Sequence, residues 1–409
     1  MELFQSLLPT LTVLQSDAEA PASFFTRAKC HPEHLPGVAV PRKKTPADTE
    51  ASPVKVLIVG GGLIGLSIAW RAAQKGMQVQ LVDAPSPHAA SRVGAGLLIP
   101  AGGRVSPHHL ALRTASAEMF PSMISELEEL TEMDCGYNAC GLLTVAYDPG
   151  ADASVDGLAN CLRGLGVAVE RLDREGCLKR EPGLSEKVSA GFYSDDHQID
   201  PEKFAAALKE AGRRQGVEFL VGRVASVAPR GLTLQGGEHF NADRVVVATG
   251  AWLAQLLSLP VFPVKGEVIH LRGKPGLVRH NLTVRREDLY IANRGDGRYV
   301  VGATEEEAGF DDTITATDLL FEKACALVPG LERCARLDSR VGFRPKVGDG
   351  LPLLGEHEEI VVAGAHYRNG ILLTPITARL IADYLETGET KELMRPFTPN
   401  RDCRHRDEK

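Results

Sequence analysis

The sequence lacks the long apolar runs and the positive charge that mark two large classes of protein. No segment holds about eighteen consecutive apolar residues free of charge, so none is long enough to cross a bilayer as a helix. Its 46 Lys and Arg residues are outnumbered by 53 Asp and Glu residues, which gives a net charge of −7. Proteins that bind nucleic acid usually carry a basic surplus. We therefore expect neither a membrane span nor a nucleic-acid partner.

The eight cysteines form no CxxC pair and no Cys/His cluster at the spacing of a zinc site. This spacing excludes the common structural zinc motifs, and we expect no bound metal. Isolated cysteines of this kind are typical of free thiols in a reducing compartment, so we expect a cytoplasmic protein.

Residues 1–53 lack the marks of a targeting segment and of a folded unit. Glu2 stands where a secretory signal carries positive charge, Pro9 interrupts the apolar stretch, and the acidic Asp17 is unusual in a transit peptide. Proline recurs along the segment without a periodic apolar pattern. We expect a poorly ordered N-terminal extension here and a polar C-terminal tail over residues 391–409.

A nucleotide-binding pattern begins directly after this extension. Residues 54–59 form a mostly β-branched run, the pattern of a strand buried on both faces of a parallel sheet. The run leads into the turn 60–65 (GGGLIG), helical apolar spacing follows, and a second strand ends at Asp83. Strand, Gly-x-Gly-x-x-Gly, helix, strand and acid within about thirty residues make up the dinucleotide-binding fingerprint.

Each residue of the fingerprint has a physical role in holding a dinucleotide. Gly60 permits the tight turn, Gly62 lets a pyrophosphate approach the helix N-terminus, and Gly65 lets helix and strand pack closely. Asp83 can accept hydrogen bonds from both ribose hydroxyls, and its charge disfavours a 2′-phosphate.

The fingerprint alone does not distinguish NAD from FAD, but two further features favour FAD. The fingerprint opens the ordered part of the chain. In addition, a second buried-strand run at residues 244–248 ends in the small-residue turn Thr249-Gly250-Ala251, which suits a strand that returns to the same sheet beside the cofactor.

Further motifs follow the fingerprint in a fixed order. They are 89–100 (AASRVGAGLLIP), 134–137 (DCGY), 141–143 (GLL), 263–267 (PVKGE), 290–291 (YI), 302–304 (GAT), 342–345 (GFRP), 349–352 (DGLP) and 366–373 (HYRNGILL). Together they resemble the D-amino-acid-oxidase class of flavoproteins, and within it most closely the bacterial glycine oxidases of thiamine biosynthesis. The resemblance runs from about residue 54 to 387, roughly four-fifths of the chain.

The resemblance implies an α/β fold with two domains, one of them discontinuous. A Rossmann-like FAD-binding domain would comprise residues 54–131, 190–262 and 343–390, and a mostly antiparallel sheet in a substrate domain would comprise residues 132–189 and 263–342. The patterning agrees in outline, because it predicts strands at 142–147, 268–271 and 298–301 and helices at 202–215 and 319–327.

The resemblance also implies which residues contact FAD. Besides Gly60, Gly62 and Gly65, they are Leu63 and Ile64 at the pyrophosphate, Asp83 and Ala84 at the ribose, Ala90, Ser91, Ala95, Gly96 and Leu97 in the loop under the flavin, Val224 at the adenine, Gly250, and His366, Tyr367, Arg368, Asn369, Gly370, Ile371 and Leu372 around the isoalloxazine. A helix over 371–385 would direct its N-terminus at the flavin. Because no cysteine lies in the 342–345 or 349–352 motif, we expect FAD to be bound non-covalently.

Three side chains are candidates for catalysis. Arg344 lies at the family's carboxylate-binding position, and a guanidinium offers a planar pair of donors that matches a carboxylate. Tyr290 matches a position that reaches the substrate from the roof of the site, and Arg368 matches one that contacts substrate or product. His366 is a poor candidate for a general base, because hydride loss requires only the neutral amine.

The sequence departs from the family at four places. Arg92 lies in a loop usually built from small or aromatic residues, and Asp288 stands where some glycine oxidases carry histidine. Asn293 replaces a frequent proline, and Val347-Gly348 replaces Thr-Pro. The charges of Arg92 and Asp288 leave the choice of amino acid and its stereochemistry open.

The hypothesis from the sequence is an FAD-dependent oxidase of glycine or another small amino acid, with hydride transfer to flavin N5 and reoxidation by O₂ to H₂O₂. The imine would be hydrolysed or passed to a partner enzyme of thiazole synthesis, and homo-oligomerisation stays open. One alternative is a dehydrogenase of D-amino acids or sarcosine with another electron acceptor. A second is a flavin-binding module without turnover.

Overall fold

A computed structural model describes residues 52–102, 106–147, 152–285, 287 and 289–404. Positions 1–51 of the predicted N-terminal extension lie outside the described residues, and so does Asp288.

The described residues form both α-helices and β-strands. The helices are α1 Leu63–Gln74, α2 Ala90–Val93, α3 Pro107–Thr131, α4 Asp152–Gly164, α5 Arg174–Arg180, α6 Pro201–Arg214, α7 Thr317–Leu327 and α8 Thr374–Thr387. The strands are β1 Lys55–Val59, β2 Gln78–Asp83, β3 Leu97–Leu98, β4 Tyr137–Asn138, β5 Leu142–Ala146, β6 Val169–Asp173, β7 Ala190–Ser194, β8 His197–Ile199, β9 Glu218–Val221, β10 Val224–Ala228, β11 Gly231–Leu234, β12 His239–Asn241, β13 Arg244–Val247, β14 Phe262–Arg272, β15 Asn281–Val284, β16 Tyr290–Asn293, β17 Arg298–Gly302, β18 Ala335–Lys346, β19 Leu353–His357 and β20 Ile360–Gly364.

Local sequence signals explain where several helices begin. Asp200 caps α6 through hydrogen bonds from the backbone N–H groups of its first turn, and Pro201 follows at the start of the helix. Ser106 and Pro107 begin α3 in the same way. These caps satisfy N–H groups that would otherwise lack partners.

A six-stranded sheet in the order β19-β20-β13-β1-β2-β9 forms the nucleotide-binding part of the fold. Its strands run parallel except β19, which pairs antiparallel with β20 at one edge. Val56 and Ile58 of β1 face a core shared with α1, α3, α6 and α8, whereas Leu57 and Val59 face a core shared with β11 and the segment after β13. The strand is therefore apolar throughout because both of its faces are buried.

An eight-stranded sheet in the order β18-β14-β17-β16-β15-β5-β7-β6 lies beside it. All its neighbouring strands are antiparallel apart from β15 and β5. The long pairing of β14 with β18 runs from Phe262 opposite Lys346 to Arg272 opposite Ala335. The predicted combination of a Rossmann-like parallel sheet with a mostly antiparallel sheet is thus confirmed.

The division of the chain into an FAD-binding and a substrate domain stays a prediction. Two proposed boundaries meet strands of the eight-stranded sheet, since β7 begins at Ala190 and β18 continues past position 343. The eight-stranded sheet therefore extends a few residues past each of these two proposed boundaries.

The stretch expected as a polar tail contacts the core of the fold. Met394 and Phe397 are fully buried beside the helices that cover the parallel sheet. Arg401 donates to both carboxylate oxygens of Asp349 at 2.8 and 3.0 Å. Among the described residues, no helix has the length and apolar character needed to traverse a bilayer.

Candidate active site

The glycine-rich turn after β1 lets a phosphate approach the backbone. Gly60 has a φ of +109°, and a Cβ there would lie 2.5 Å from the carbonyl oxygen of Ala248. A Cβ at Gly65 would overlap the carbonyl oxygen of Gly60. Both positions therefore require glycine, as the spacing of the motif predicts.

The start of α1 and its surroundings fit the pyrophosphate of a dinucleotide. A Cβ at Gly62 would meet only Ser91 Oγ, at 3.3 Å, and no described side chain caps this end of α1. Thr249 lies beside Gly60, and its Oγ1 is buried without a hydrogen-bond partner among the described residues. Free N–H groups at a helix start bind anions, and a buried hydroxyl normally has a partner.

Asp83 is fixed where β2 ends, on the ribose side of the turn. Its Oδ1 accepts a hydrogen bond of 2.8 Å from the backbone N–H of Gly61. A Cβ at Gly61 would come within 2.7 Å of the Asp83 Cγ, so this glycine is needed as well. The sequence interpretation gave Gly61 no role, because the contact depends on the strand that brings Asp83 back.

The segment predicted to meet the adenine lies next to Asp83. The N–H of Gly222 donates to the carbonyl oxygen of Asp83 at 2.9 Å, and the half-buried Val224 begins the strand that follows. Ala84, also half-buried, directly follows β2. Both residues thus lie at the carboxyl end of β2, the edge at which parallel sheets bind nucleotides.

The loop expected under the flavin is held tightly against β8. Gly96 has a φ of +76°, and a Cβ there would overlap the carbonyl oxygen of Ile199. Leu97 pairs with Gln198, while Ala95 is buried. Ala90 begins α2, which holds Ser91 beside Gly62.

The segment 366–373 joins β20 to α8 through a turn. Ala365 and Tyr367 adopt left-handed φ values of +53° and +49°, and Asn369 accepts a hydrogen bond from the N–H of Leu373. The helix begins at Thr374 rather than at the predicted position 371, because Pro375 favours a first turn at this point. Gly370, Ile371 and Leu372 belong to the turn that precedes the helix.

His366 is buried and neutral. Its Nε2 lies 3.0 Å from Thr377 Oγ1. Burial, with a smaller contribution from His109, lowers the pKa of His366 to about 3. A ring that is already hydrogen-bonded and so weakly basic is a poor general base, in agreement with the expectation from the sequence.

Arg344 projects from β18 and carries no acidic partner among the described residues. It lies opposite Val264 of β14, and its Nη1 donates to the carbonyl oxygens of Thr304 at 3.0 Å and Lys265 at 3.4 Å. A Cβ at Gly266 would overlap the guanidinium, so Gly266 makes room for it. Backbone oxygens thus orient the charge and leave the remaining donors free for a carboxylate.

Tyr290 lies close to Arg344 and Arg368 on the roof of the site. It pairs with Gly302 across β16 and β17, and its hydroxyl occupies the space that a Cβ at Gly302 would need. Burial raises the pKa of the Tyr290 phenol, while the charges of Arg344, Arg294 and Arg368 oppose that rise. The phenol therefore remains a hydrogen-bond donor at neutral pH.

Glu305 contacts two residues of the segment 366–373. It accepts a short hydrogen bond from the hydroxyl of Tyr367, and its Oε2 lies 3.4 Å from Nη1 of Arg368. Burial, together with the bond to Glu305, raises the pKa of Tyr367. The sequence interpretation missed Glu305, although it directly follows the 302–304 motif.

Arg294 is a second residue that the sequence interpretation missed. Its Nη1 donates to Gln198 Oε1 at 3.0 Å and to the carbonyl oxygen of Ile199 at 2.9 Å. Burial lowers its pKa, with Asp200 acting in the opposite direction. Arg294 thus connects the end of β16 to β8, the strand against which the loop at Gly96 packs.

The departures from the family have different structural outcomes. Arg92 is exposed, and Asp288 lies outside the described residues. Asn293 is buried, and its N–H donates to Asn281 Oδ1 at 3.1 Å, a bond that proline could not make. Val347 is buried beneath the edge of the parallel sheet.

Of the three candidate catalytic side chains, Arg344 and Arg368 both act through their charges on the phenol of Tyr290. Gly250 begins a 3₁₀ turn after β13 with a φ of +55° and directly follows Thr249, which lies beside Gly60. The fold thus forms a nucleotide cradle around Gly60 and places Arg344 and Arg368 at the consecutive residues Thr304 and Glu305.

Comparison with known families identifies the group to which this fold belongs. The model of the FAD dependent oxidoreductase family, DAO, matches residues 55–384. The bifunctional protein ThiO/ThiG of Synechocystis is 37% identical over 366 residues, which are 85% of this chain and 54% of that protein. This chain thus spans about half the length of the ThiO/ThiG relatives. The glycine oxidase of Geobacillus kaustophilus is 34% identical over 364 residues, which are 85% of this chain and 96% of that enzyme.

Solved structures agree with the sequence relatives. The crystal structure of glycine oxidase from Geobacillus kaustophilus superposes with a TM-score of 0.79 at 33% identity, covering 85% of this chain and 99% of that one. Iminodiacetate oxidase from Chelativorans sp. BNC1 superposes with a TM-score of 0.77 at 26% identity, covering 84% and 98%. The chain belongs to the DAO family of FAD-dependent oxidoreductases, close to the glycine oxidases, and FAD is its cofactor.

Proposed function

We propose that the protein oxidises glycine or another small α-amino acid. With glycine, the balanced reaction converts glycine, O₂ and water into glyoxylate, ammonia and H₂O₂. One observation carries the proposal: Arg344 presents a guanidinium that has no acidic partner in the described part of the chain, beside the protonated Tyr290. This arrangement suits a substrate with one carboxylate.

We assign FAD to the cradle formed by Gly60, Gly62, Ser91 and Asp83, with the segment 366–372 around its ring system. When bound, FAD supplies the oxidising chemistry by accepting a hydride from the substrate Cα and passing the electrons to O₂. Of the described cysteines, Cys403 lies nearest in sequence to this segment, and its thiol is buried and contacts the Arg401 carbonyl oxygen. We therefore propose non-covalent binding.

Arg344 would hold the substrate carboxylate through the donors that it does not use for backbone oxygens. Thr304 and Lys265 fix the guanidinium, so little side-chain entropy is lost when a carboxylate binds. Tyr290 would donate its hydroxyl to the same carboxylate and thereby fix the orientation of Cα. Arg368 would contact substrate or product at the entrance.

The substrate amine must lose a proton before its Cα can lose a hydride. His366 is buried, neutral and bonded to Thr377, so it does not provide the base. Solvent would take the proton instead, and turnover would rise with pH until the amine of the bound substrate is neutral.

We further propose that the imine product serves thiazole synthesis. The names of the ThiO/ThiG relatives support this destination. A partner that captures the imine would compete with its hydrolysis to glyoxylate. The cysteines of the described region are all free thiols, which supports a cytoplasmic location.

The first experiment is the visible spectrum of the purified protein before and after anaerobic addition of glycine. Bleaching of the oxidised-flavin band would support amino-acid oxidation. Bleaching by sarcosine or a D-amino acid, but not by glycine, would move the proposal to those substrates. A flavin that no amine bleaches would leave only a non-catalytic flavin-binding module.

A second measurement separates an oxidase from a dehydrogenase. Release of H₂O₂ in air is compared with reduction of an artificial dye under anaerobic conditions. An oxidase forms one H₂O₂ for each amino acid consumed. Dye reduction without H₂O₂ would instead indicate another physiological acceptor.

A further inference from the structure

The carboxylate of Glu305 lies between two groups of the segment 366–373. One oxygen accepts the hydroxyl of Tyr367, and the other lies 3.4 Å from Nη1 of Arg368. The Glu305 side chain is 30% exposed and that of Arg368 is 58% exposed, so both remain accessible from solvent. The positive charge of Arg368 therefore already has a counter-ion.

The backbone around Glu305 is fixed to β14. Lys265 and Glu306 exchange two backbone hydrogen bonds of 2.8 and 3.0 Å. The hydroxyl of Thr304 accepts the N–H of Glu267 at 3.0 Å. Lys265 is 1% exposed, and its ammonium group lies 3.3 Å from Asp311 further along the same segment. Glu305 is thus held on both sides and cannot withdraw its carboxylate by a shift of the chain.

The same segment orients the arginine that we assign to the substrate. The carbonyl oxygen of Thr304, directly before Glu305, accepts the bond from Arg344. Arg344 and Arg368 thus contact the consecutive residues Thr304 and Glu305. Arg344 has no acidic partner among the described residues, whereas Arg368 has Glu305.

These charges distinguish substrates with one carboxylate from those with two. A single carboxylate is served by Arg344 and Tyr290 without Arg368. A second carboxylate that extends toward Arg368 would meet the negative charge of Glu305. It could not pair with Arg368 unless it displaced Glu305. Like charges forced together, or a counter-ion that must be displaced, both weaken binding.

We propose that Glu305 is a specificity-determining residue that restricts the site to amino acids with a single carboxylate. This inference rests on the proposed function, since it needs Arg344 as the binder of the first carboxylate. Glu305 acts through its negative charge, so Gln at this position, which keeps the hydrogen-bond acceptor for Tyr367, is the informative change.

The test compares glycine with iminodiacetate, which is glycine carrying a second carboxymethyl group on its nitrogen. The ratio of kcat/KM for iminodiacetate to that for glycine is measured in the wild type, E305Q and the control E307Q. Glu307 is two residues away and pairs at the surface with Lys346, at 2.9 Å. We expect E305Q to raise the ratio by about tenfold or more and E307Q to leave it within about twofold of the wild type, where a tenfold change corresponds to ~1.4 kcal/mol.

A binding measurement makes the inference independent of turnover. Calorimetric titration of the flavin-loaded proteins with acetate and with oxydiacetate compares one and two carboxylates without oxidation. E305Q should improve the affinity for oxydiacetate relative to acetate by the same factor. In the double variant E305Q/R368M the improvement should disappear, because Arg368 would no longer supply the freed charge.

The outcomes separate the two proposals. A wild-type flavin that glycine does not bleach would contradict the proposed function, while the acetate and oxydiacetate titrations would still test Glu305. A wild type that oxidises iminodiacetate as efficiently as glycine would overturn the role of Glu305. So would an E305Q protein whose substrate and ligand ratios stay within twofold of the wild type.

Discussion

The carbonyl oxygen of Thr304 accepts a hydrogen bond of 3.0 Å from Nη1 of Arg344, and the next residue in the chain is Glu305. The segment that orients the proposed carboxylate-binding arginine therefore also carries the acid that pairs with Arg368. Binding of the substrate and discrimination between substrates thus depend on two adjacent residues.

Replacing Arg344 by lysine should impair turnover without loss of the cofactor. A lysine cannot make two parallel bonds to a carboxylate, and the loss of a charge-assisted bond costs ~3 kcal/mol. We expect kcat/KM for glycine to fall about a hundredfold, with an oxidised-flavin spectrum like that of the wild type.

The measurement is the rate of H₂O₂ release at a series of glycine concentrations. Arg336 provides the control, since it is an exposed arginine on the same strand. The variant R336K should retain the wild-type kcat/KM. Full turnover by R344K would show that Arg344 does not bind the carboxylate.

Replacing Gly65 by alanine should prevent FAD binding. The added Cβ would overlap the carbonyl oxygen of Gly60 and force the turn apart. Gly157 in α4 is the control, because a Cβ at this exposed position would meet no atom within 4 Å. The ratio of flavin to protein absorbance reports the result: we expect a nearly colourless G65A and a fully loaded G157A.

The G157A protein should also be slightly more stable, because alanine in the interior of a helix is favoured over glycine by ~1 kcal/mol. A yellow, fully loaded G65A protein would mean that the turn can relax without cost to the cradle.

The free energy of unfolding should fall as the pH is lowered from about 6.5 to about 4. Burial lowers the pKa of His109 to about 4, with Arg113 adding to the effect, and that of His366 to about 3. The unfolded chain binds protons at these residues near pH 6.5, whereas the folded protein does not. The free energy of unfolding is therefore unaffected by these rings above pH 6.5. Below pH 6.5 it falls, because only the unfolded chain binds the protons, by roughly 2 kcal/mol for each ring at pH 5.

Urea unfolding at pH 7, 6 and 5 measures this loss. The variant H109Q should show a shallower dependence of stability on pH than the wild type. His239, an exposed residue of β12, is the control, and H239Q should keep the wild-type dependence. Equal slopes for H109Q and the wild type would contradict the assignment to His109.

Replacing Arg294 by methionine should weaken FAD binding. Methionine fills similar volume but cannot donate to Gln198 and Ile199, so the loop at Gly96 loses a support. We expect the Kd of FAD to rise about tenfold, which corresponds to ~1.4 kcal/mol, because Arg294 supports the loop and acts on FAD only through it. Fluorescence titration of the apoprotein with FAD measures it, and R272M, at an exposed arginine of β14, should bind as the wild type does.

The parts of the fold that could be predicted from the sequence are those fixed by local patterns. The apolar run of β1, the glycines of the turn and Asp83 lie within thirty residues, and their spacing alone defines their geometry. The helix α7 and the strand β17 likewise follow from the periodicity of their own residues.

The parts that were missed depend on residues distant in sequence. Glu305 acquires its role only when β20 brings Tyr367 and Arg368 beside it, and Arg294 only when β8 lies next to the loop at Gly96. The burial of Phe397 shows the same limit, since a short polar stretch gives no sign that its few apolar side chains complete a core. The predicted helix start at position 371 is wrong because Pro375, four residues later, lies in the first turn of the helix.

The pairing of β14 with β18 has a consequence for the order of assembly. It joins residues as far apart as Phe262 and Lys346, which are separated by 84 positions. Contacts between distant segments form slowly, because a long loop must close first. During synthesis the turn at Gly60 emerges well before Arg344 and the segment 366–373. A growing chain can therefore shape its nucleotide cradle well before it can recognise a substrate.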